Sequence, residues 1–154
     1  MLTGCNRAAA ALLTLLLCSC ASAGVRFDGQ WSYQQSCGWN HTANLDLAGS
    51  GQSYTGSWDD GTRVGGDSGK LKGELRDDKL FLQFCSDTGT PACPSYGEAS
   101  AYLVRDKATV VWYRKFDSDY KPYLTLHEAK AGQKVPTDDQ CADDEAKDDE
   151  PKDN

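Results

Sequence analysis

The sequence predicts an all-β fold, an eight-stranded antiparallel up-and-down barrel, with a two-sheet β-sandwich as the alternative. Three observations point there. Between Phe27 and Glu128 apolar and polar residues alternate at period two, Gly, Asp, Asn and Pro interrupt that pattern at short intervals, and no stretch outside the N-terminal segment shows a helical face. A chain of short strands with no helix to cover a sheet is best served by closure, because closure removes the exposed edges. A barrel of this strand number is either filled by its own side chains or holds one small ligand.

The strands follow in order. Phe27–Tyr33, Ala43–Leu47 and Tyr54–Trp58 each set their apolar residues on one face, and Lys70–Arg76 repeats the alternation most plainly. Leu80–Cys85, Tyr96–Val104, Thr109–Phe116 and Tyr123–Glu128 complete the eight. Turn chemistry separates them at Ala48-Gly49-Ser50-Gly51, Asp59-Asp60-Gly61, Arg76-Asp77-Asp78-Lys79 and Arg105-Asp106-Lys107, while Thr62 to Gly69 reads as a Gly-rich turn or bulge.

With 154 residues the chain suits one domain. Sixteen Lys and Arg against 23 Asp and Glu give a net charge of −7, which disfavours nucleic acid as a partner, since phosphate neutralisation needs clustered cations. A mean hydropathy of −0.60 excludes a helical membrane bundle. Residues 1–23 read as an export signal: Arg7 heads an apolar run, Ala8–Leu17, too short to span a bilayer. Leu17-Cys18-Ser19-Cys20 resembles a bacterial lipobox with Cys20 as the lipidated residue. Ala21-Ser22-Ala23 offers the alternative, signal-peptidase cleavage after Ala23 and a freely secreted protein. The expected location is therefore the periplasm or outer membrane, attached by a lipid anchor only.

Either cleavage leaves Cys37, Cys85, Cys93 and Cys141, an even number in an oxidising compartment, so two disulfides are expected. The preferred pairing joins Cys85 to Cys93 across a short Gly/Pro loop and Cys37 to Cys141. No close Cys/His pairing supports zinc, no EF-hand spacing supports calcium, and neither a metal nor another cofactor is expected. The barrel domain is assigned to 24–135 and an acidic tail to 136–154. From Asp138 to Asn154 nine acidic residues face two Lys, −7 in all, so the tail carries the chain's whole net charge and is expected to be disordered.

Phe27-Asp28-Gly29-Gln30-Trp31 resembles the G-x-W opening of lipocalin-like and avidin-like barrels, and Tyr54-Thr55-Gly56-Ser57-Trp58 is similar to an early avidin strand. The likeness implies the architecture alone, because the avidin family's polar biotin contacts are not matched at Tyr33, Gln35 and Cys37. Ser50-Gly51-Gln52-Ser53-Tyr54 resembles the S-G-x-x-Y stretch of periplasmic lysozyme inhibitors, small exported barrels whose loops enter the lysozyme cleft. That likeness implies inhibitory roles for Ser50 and Tyr54. The family's second motif is not reproduced, since Trp112-Tyr113-Arg114-Lys115 lacks its Lys-Gly pair.

Gly66-Asp67-Ser68-Gly69 spells the sequence around a chymotrypsin-like nucleophile, but the short spacing from His41 does not suit that chemistry, and no catalytic residue is assigned. Asn40-His41-Thr42 is a glycosylation sequon that matters only in a eukaryotic host. Tyr113, Arg114, Tyr120 and Tyr123 have the composition of an interface hot spot and join Ser50 and Tyr54 as candidate partner contacts. Trp31, Tyr33, Trp58 and Trp112 are the candidate lining of a ligand pocket, with simple core burial as the competing explanation. The expected function is non-enzymatic: a cell-envelope binding protein that inhibits a cationic cell-wall hydrolase or toxin. The alternative is a lipocalin-like carrier of a small apolar or sugar ligand.

Overall fold

The structure, a computed structural model, describes residues 24–139. The export signal with Cys20, and the chain from residue 140 onward with Cys141, lie outside those residues. Eight strands run in chain order: β1 (Gly29–Gln34), β2 (Thr42–Ser50), β3 (Ser53–Thr62), β4 (Gly65–Arg76), β5 (Lys79–Ser86), β6 (Ala101–Asp106), β7 (Thr109–Phe116) and β8 (Asp119–Glu128). Each pairs antiparallel with the next, and β8 returns to β1 to close a barrel. One sheet closed on itself rules out the sandwich.

Alternation sets the inner face. Leu45 and Leu47 on β2, Leu80 and Leu82 on β5, and Leu103 on β6 are buried, while their neighbours along each strand face outward or lie partly exposed. Trp31 lies at the closed end of the core, fully buried, with its indole N–H donating to the Phe27 carbonyl at 2.8 Å. Gly56 and Gly69 answer to close backbone approach, because a Cβ at either would collide with a neighbouring strand's carbonyl, that of Asp46 or of Cys85.

Two expected boundaries are corrected. Asp59-Asp60-Gly61 is not a turn, and Thr62 to Gly69 is not a bulge: β3 runs through to Thr62, the turn falls at Arg63–Val64, and Gly66 to Gly69 lie in β4 opposite Gly61 to Trp58. Ladder hydrogen bonds on both sides of β3 outweigh the local turn preference of Asp and Gly. The strand expected to start at Tyr96 begins at Ala101, and the residues before it form part of a long β5–β6 connection. That connection is held by the Cys85–Cys93 disulfide and by the amides of Gly97 and Ser100 donating to Phe84 and Leu82 carbonyls, each at 3.1 Å. Cys37 is disulfide-bonded as well.

Up-and-down topology separates two ends. The chain start and the β2–β3, β4–β5 and β6–β7 turns lie at one. The β1–β2, β3–β4, β5–β6 and β7–β8 connections lie at the other, called here the loop end.

Candidate functional site

At the loop end one largely enclosed carboxylate organises the inner face. Asp60 sits on β3, two residues beyond Trp58, so the strand period turns its side chain inward, with 9% of it exposed. His41, just ahead of β2, approaches Asp60 Oδ1 through Nε2 at 2.6 Å. Tyr123 donates its hydroxyl to Oδ2 at 2.8 Å, and Arg114 donates from its guanidinium to the same oxygen at 3.0 Å. An ionised carboxylate only accepts, so His41 carries its proton on Nε2 toward Asp60. The Arg114 guanidinium lies 4.8 Å above the Tyr123 ring and 6.0 Å from that of Trp112.

Tyr123 reaches this cluster because the β7–β8 register shifts between Trp112 and Tyr113, where Trp112 faces Leu124 but Tyr113 faces Pro122. The extra residue on β8 bends the strand and turns Tyr123 in. Burial first, and then the hydrogen bond to Asp60, push Tyr123 up to about 12. Tyr33 is pushed up to about 12 in the same way, by burial and then by its hydrogen bond to Asp138 at 3.1 Å. Below the cluster the rings of Trp58, Phe84 and Trp112 fill the interior, with centroids 5.1 and 5.8 Å apart in sequence. The indole nitrogens of Trp58 and Trp112 are buried with no hydrogen-bond partner.

The rim around this cluster carries the large apolar side chains that the described residues leave exposed. Trp39 is 59% exposed in the β1–β2 connection, Val64 is 73% exposed at the β3–β4 tip, and Phe116 is 46% exposed beside the β7–β8 turn. Arg63 stacks on Trp39 at 5.7 Å and donates its amide to the Trp39 carbonyl at 2.9 Å, which joins two of these loops. The chain after β8 comes back to this same end. The Asp138 amide donates to the Gln34 carbonyl at 2.7 Å, Asp138 bridges to Gln35 in parallel, and Ser36 donates to Asp139. The first acidic residues of the tail are therefore pinned beside the rim, and Pro136 to Asp139 pack as part of the body.

The structure divides the candidates chosen from sequence. Arg114 and Tyr123 are brought together at Asp60. Tyr113 and Tyr120 are not with them: they lie on the outer face, where Tyr113 stacks on Tyr102 at 4.6 Å and Tyr120 contacts Tyr102 at 5.0 Å while donating to the Ala99 carbonyl. That cluster anchors the β5–β6 connection. Ser50 lies at the opposite end from the rim, and Tyr54 is a core residue, 2% exposed with its hydroxyl accepting from the Phe27 amide at 3.4 Å. A core side chain has no face to offer a partner, so Tyr54 is withdrawn as a contact. Trp31, Tyr33, Trp58 and Trp112 do not share one pocket. Trp31 is buried beside Phe27, Trp58 and Trp112 pack around Phe84, and Tyr33 packs against the core with its ring 5.4 Å from that of His41 while also bordering a groove beside Tyr123.

Ser68 pairs with Asp59 on the outward face, whereas His41 and Asp60 meet on the inner face, so the G-D-S-G motif and the His–Asp pair are separated by the sheet. Sequence reading missed Asp60, assigned to a solvated turn, along with Val64 and Phe116, and weighed His41 only beside the G-D-S-G motif and Trp39 only as candidate pocket lining. The alternation Tyr54, Gly56, Trp58, Asp60 was the available signal for Asp60. The chain matches no protein-family model, no curated protein and no solved structure. The closed barrel is consistent with calycin-like folds, and that is as far as the resemblance reaches.

Proposed function

We propose that the chain is a non-enzymatic cell-envelope binding protein that holds a cationic protein, a cell-wall hydrolase or toxin, at its loop end. The observation that carries this reading is that the large apolar side chains left exposed among the described residues, Trp39, Val64 and Phe116, all lie at the loop end, where Arg63 joins Trp39 to the β3–β4 tip. The chain start lies at the other end, so a lipid tether at Cys20 would leave the rim facing away from the membrane. Asp138 and Asp139 are held beside the rim, and seven more acidic residues follow them in sequence. Such an arm raises the rate of encounter with a basic protein, while the apolar contacts hold the complex.

A carrier is the second reading, favoured by the two indole N–H groups that face the interior without acceptors. Against it, the rings of Trp58, Phe84 and Trp112 themselves occupy the space a ligand would need. The experiment is capture of basic muramidases by the full chain and by a chain ending at residue 139, measured at low and physiological salt. The expected result is capture whose association rate falls about tenfold without the tail at low salt. Absence of capture from a panel of basic muramidases and amidases would remove the proposal.

A further inference from the structure

The barrel closes unevenly. β1 and β8 pair only through Trp31 with Glu128 and Ser32 with His127, flanked by the Ala129 amide donating to the Gln30 carbonyl at 2.8 Å. Antiparallel alternation then turns the amide and carbonyl of Thr125 toward β1. In a fully zipped seam Thr125 would pair with Gln34. The Gln34 carbonyl is instead taken by the Asp138 amide at 2.7 Å, so Pro136 to Asp138 form the far bank of a groove and β8 forms the near one. The groove has a volume of about 480 Å³ and is lined by Tyr33, Val111, Tyr123, Thr125 and His127 as well as that bank. Thr125 is exposed there, and no strand among the described residues pairs with it on this side.

An unpaired strand edge is a template for an incoming strand, and natural barrels close or guard it. Pro122 and the bulge guard the upper part of β8, leaving the edge at Thr125 open. We infer that this seam accepts an extended, Lys- or Arg-bearing segment of the partner as an added strand between β8 and the Pro136–Asp138 bank. The inference rests on the reading above that the partner is cationic. Charge selects that occupant: Asp138 is the one acidic side chain lining the groove, Asp139 follows it beside Ser36, and seven more acidic residues come after it in the sequence. Main-chain bonds to Thr125 would supply affinity, and the alternating pockets over Val111 and beside Tyr33 would supply selectivity.

The test uses amide hydrogen exchange on the intact chain with a ten-residue peptide alternating Lys with Val and Thr, and its twin carrying Pro at alternate positions. The expected result is that the first peptide slows exchange at Thr125 at least about tenfold, while the Pro peptide does not. Binding without protection at that amide, or no binding at millimolar peptide, overturns the inference. Thr125→Pro, checked for native near-ultraviolet dichroism, removes the edge donor and should weaken capture of a basic muramidase by at least about tenfold. If Thr125→Pro captures as well as the native chain, the seam is not the site although the binding reading stands. If the native chain captures nothing, the binding reading itself fails.

Discussion

Replacing Asp60 by Ala removes the acceptor of three donors at once, His41 Nε2, the Tyr123 hydroxyl and the Arg114 guanidinium, at 2.6, 2.8 and 3.0 Å. Each hydrogen bond to a charged group contributes about 1.5–3 kcal/mol, and stranding buried partners costs about 3–5 kcal/mol. Arg114 is 44% exposed and recovers water, so its share is discounted. The expected loss is about 3 kcal/mol, which for a domain of this size lowers Tm by about 10 °C. Urea unfolding followed by tryptophan fluorescence reads it directly, because Trp58 and Trp112 lie under the cluster. A cycle with Tyr123→Phe should show a coupling of about 1 kcal/mol. A loss below about 1 kcal/mol for Asp60→Ala, or additive single effects, would refute the view that Asp60 organises the loop end.

Three further predictions concern stability. Tyr33 and Tyr123 are pushed to about 12 from an ordinary 10.0, so their neutral forms stabilise the fold fully below pH 10, and that stability drains away as pH rises from about 10 through 12. Tyrosinate absorbance should therefore show two late-titrating groups, one of which disappears in Tyr33→Phe. Gly69→Ala should cost more than about 2 kcal/mol by chemical denaturation, because its Cβ meets the Cys85 carbonyl of the paired strand. Cys93→Ser opens a loop closed over a sequence separation of 8 and should cost about 2–3 kcal/mol by the same measurement.

Strand alternation made most of the barrel legible, because on β2, β5 and β6 the inner face is apolar throughout, Leu with Ala43, Ala101 and Phe84, and nothing else competes. It failed where the inner face stops being apolar. On upper β3 and lower β4 the inward positions hold Asp60, Asp67 and Gly69, and Asp and Gly in a row look like a turn when read alone. The cluster at Asp60 was legible only in its parts. His41 and Asp60 are brought close by the β2–β3 register, Arg114 by barrel closure, and Tyr123 by a bulge, and none of those is encoded in spacing along the chain. The rim was missed for a related reason: Trp39 and Val64 sit in two separate connections and Phe116 at the end of β7, and only the up-and-down topology assigns all three to one end.

The most direct measurement of the account is the affinity of the Trp39→Ser, Val64→Ser, Phe116→Ser chain for a captured basic muramidase, beside its unfolding free energy. These side chains are 59%, 73% and 46% exposed, so stability should stay within about 1 kcal/mol of the native chain. The account predicts that affinity falls by at least about a hundredfold while the fold is kept. Undiminished affinity in that variant would show that the loop end is not where the protein does its work.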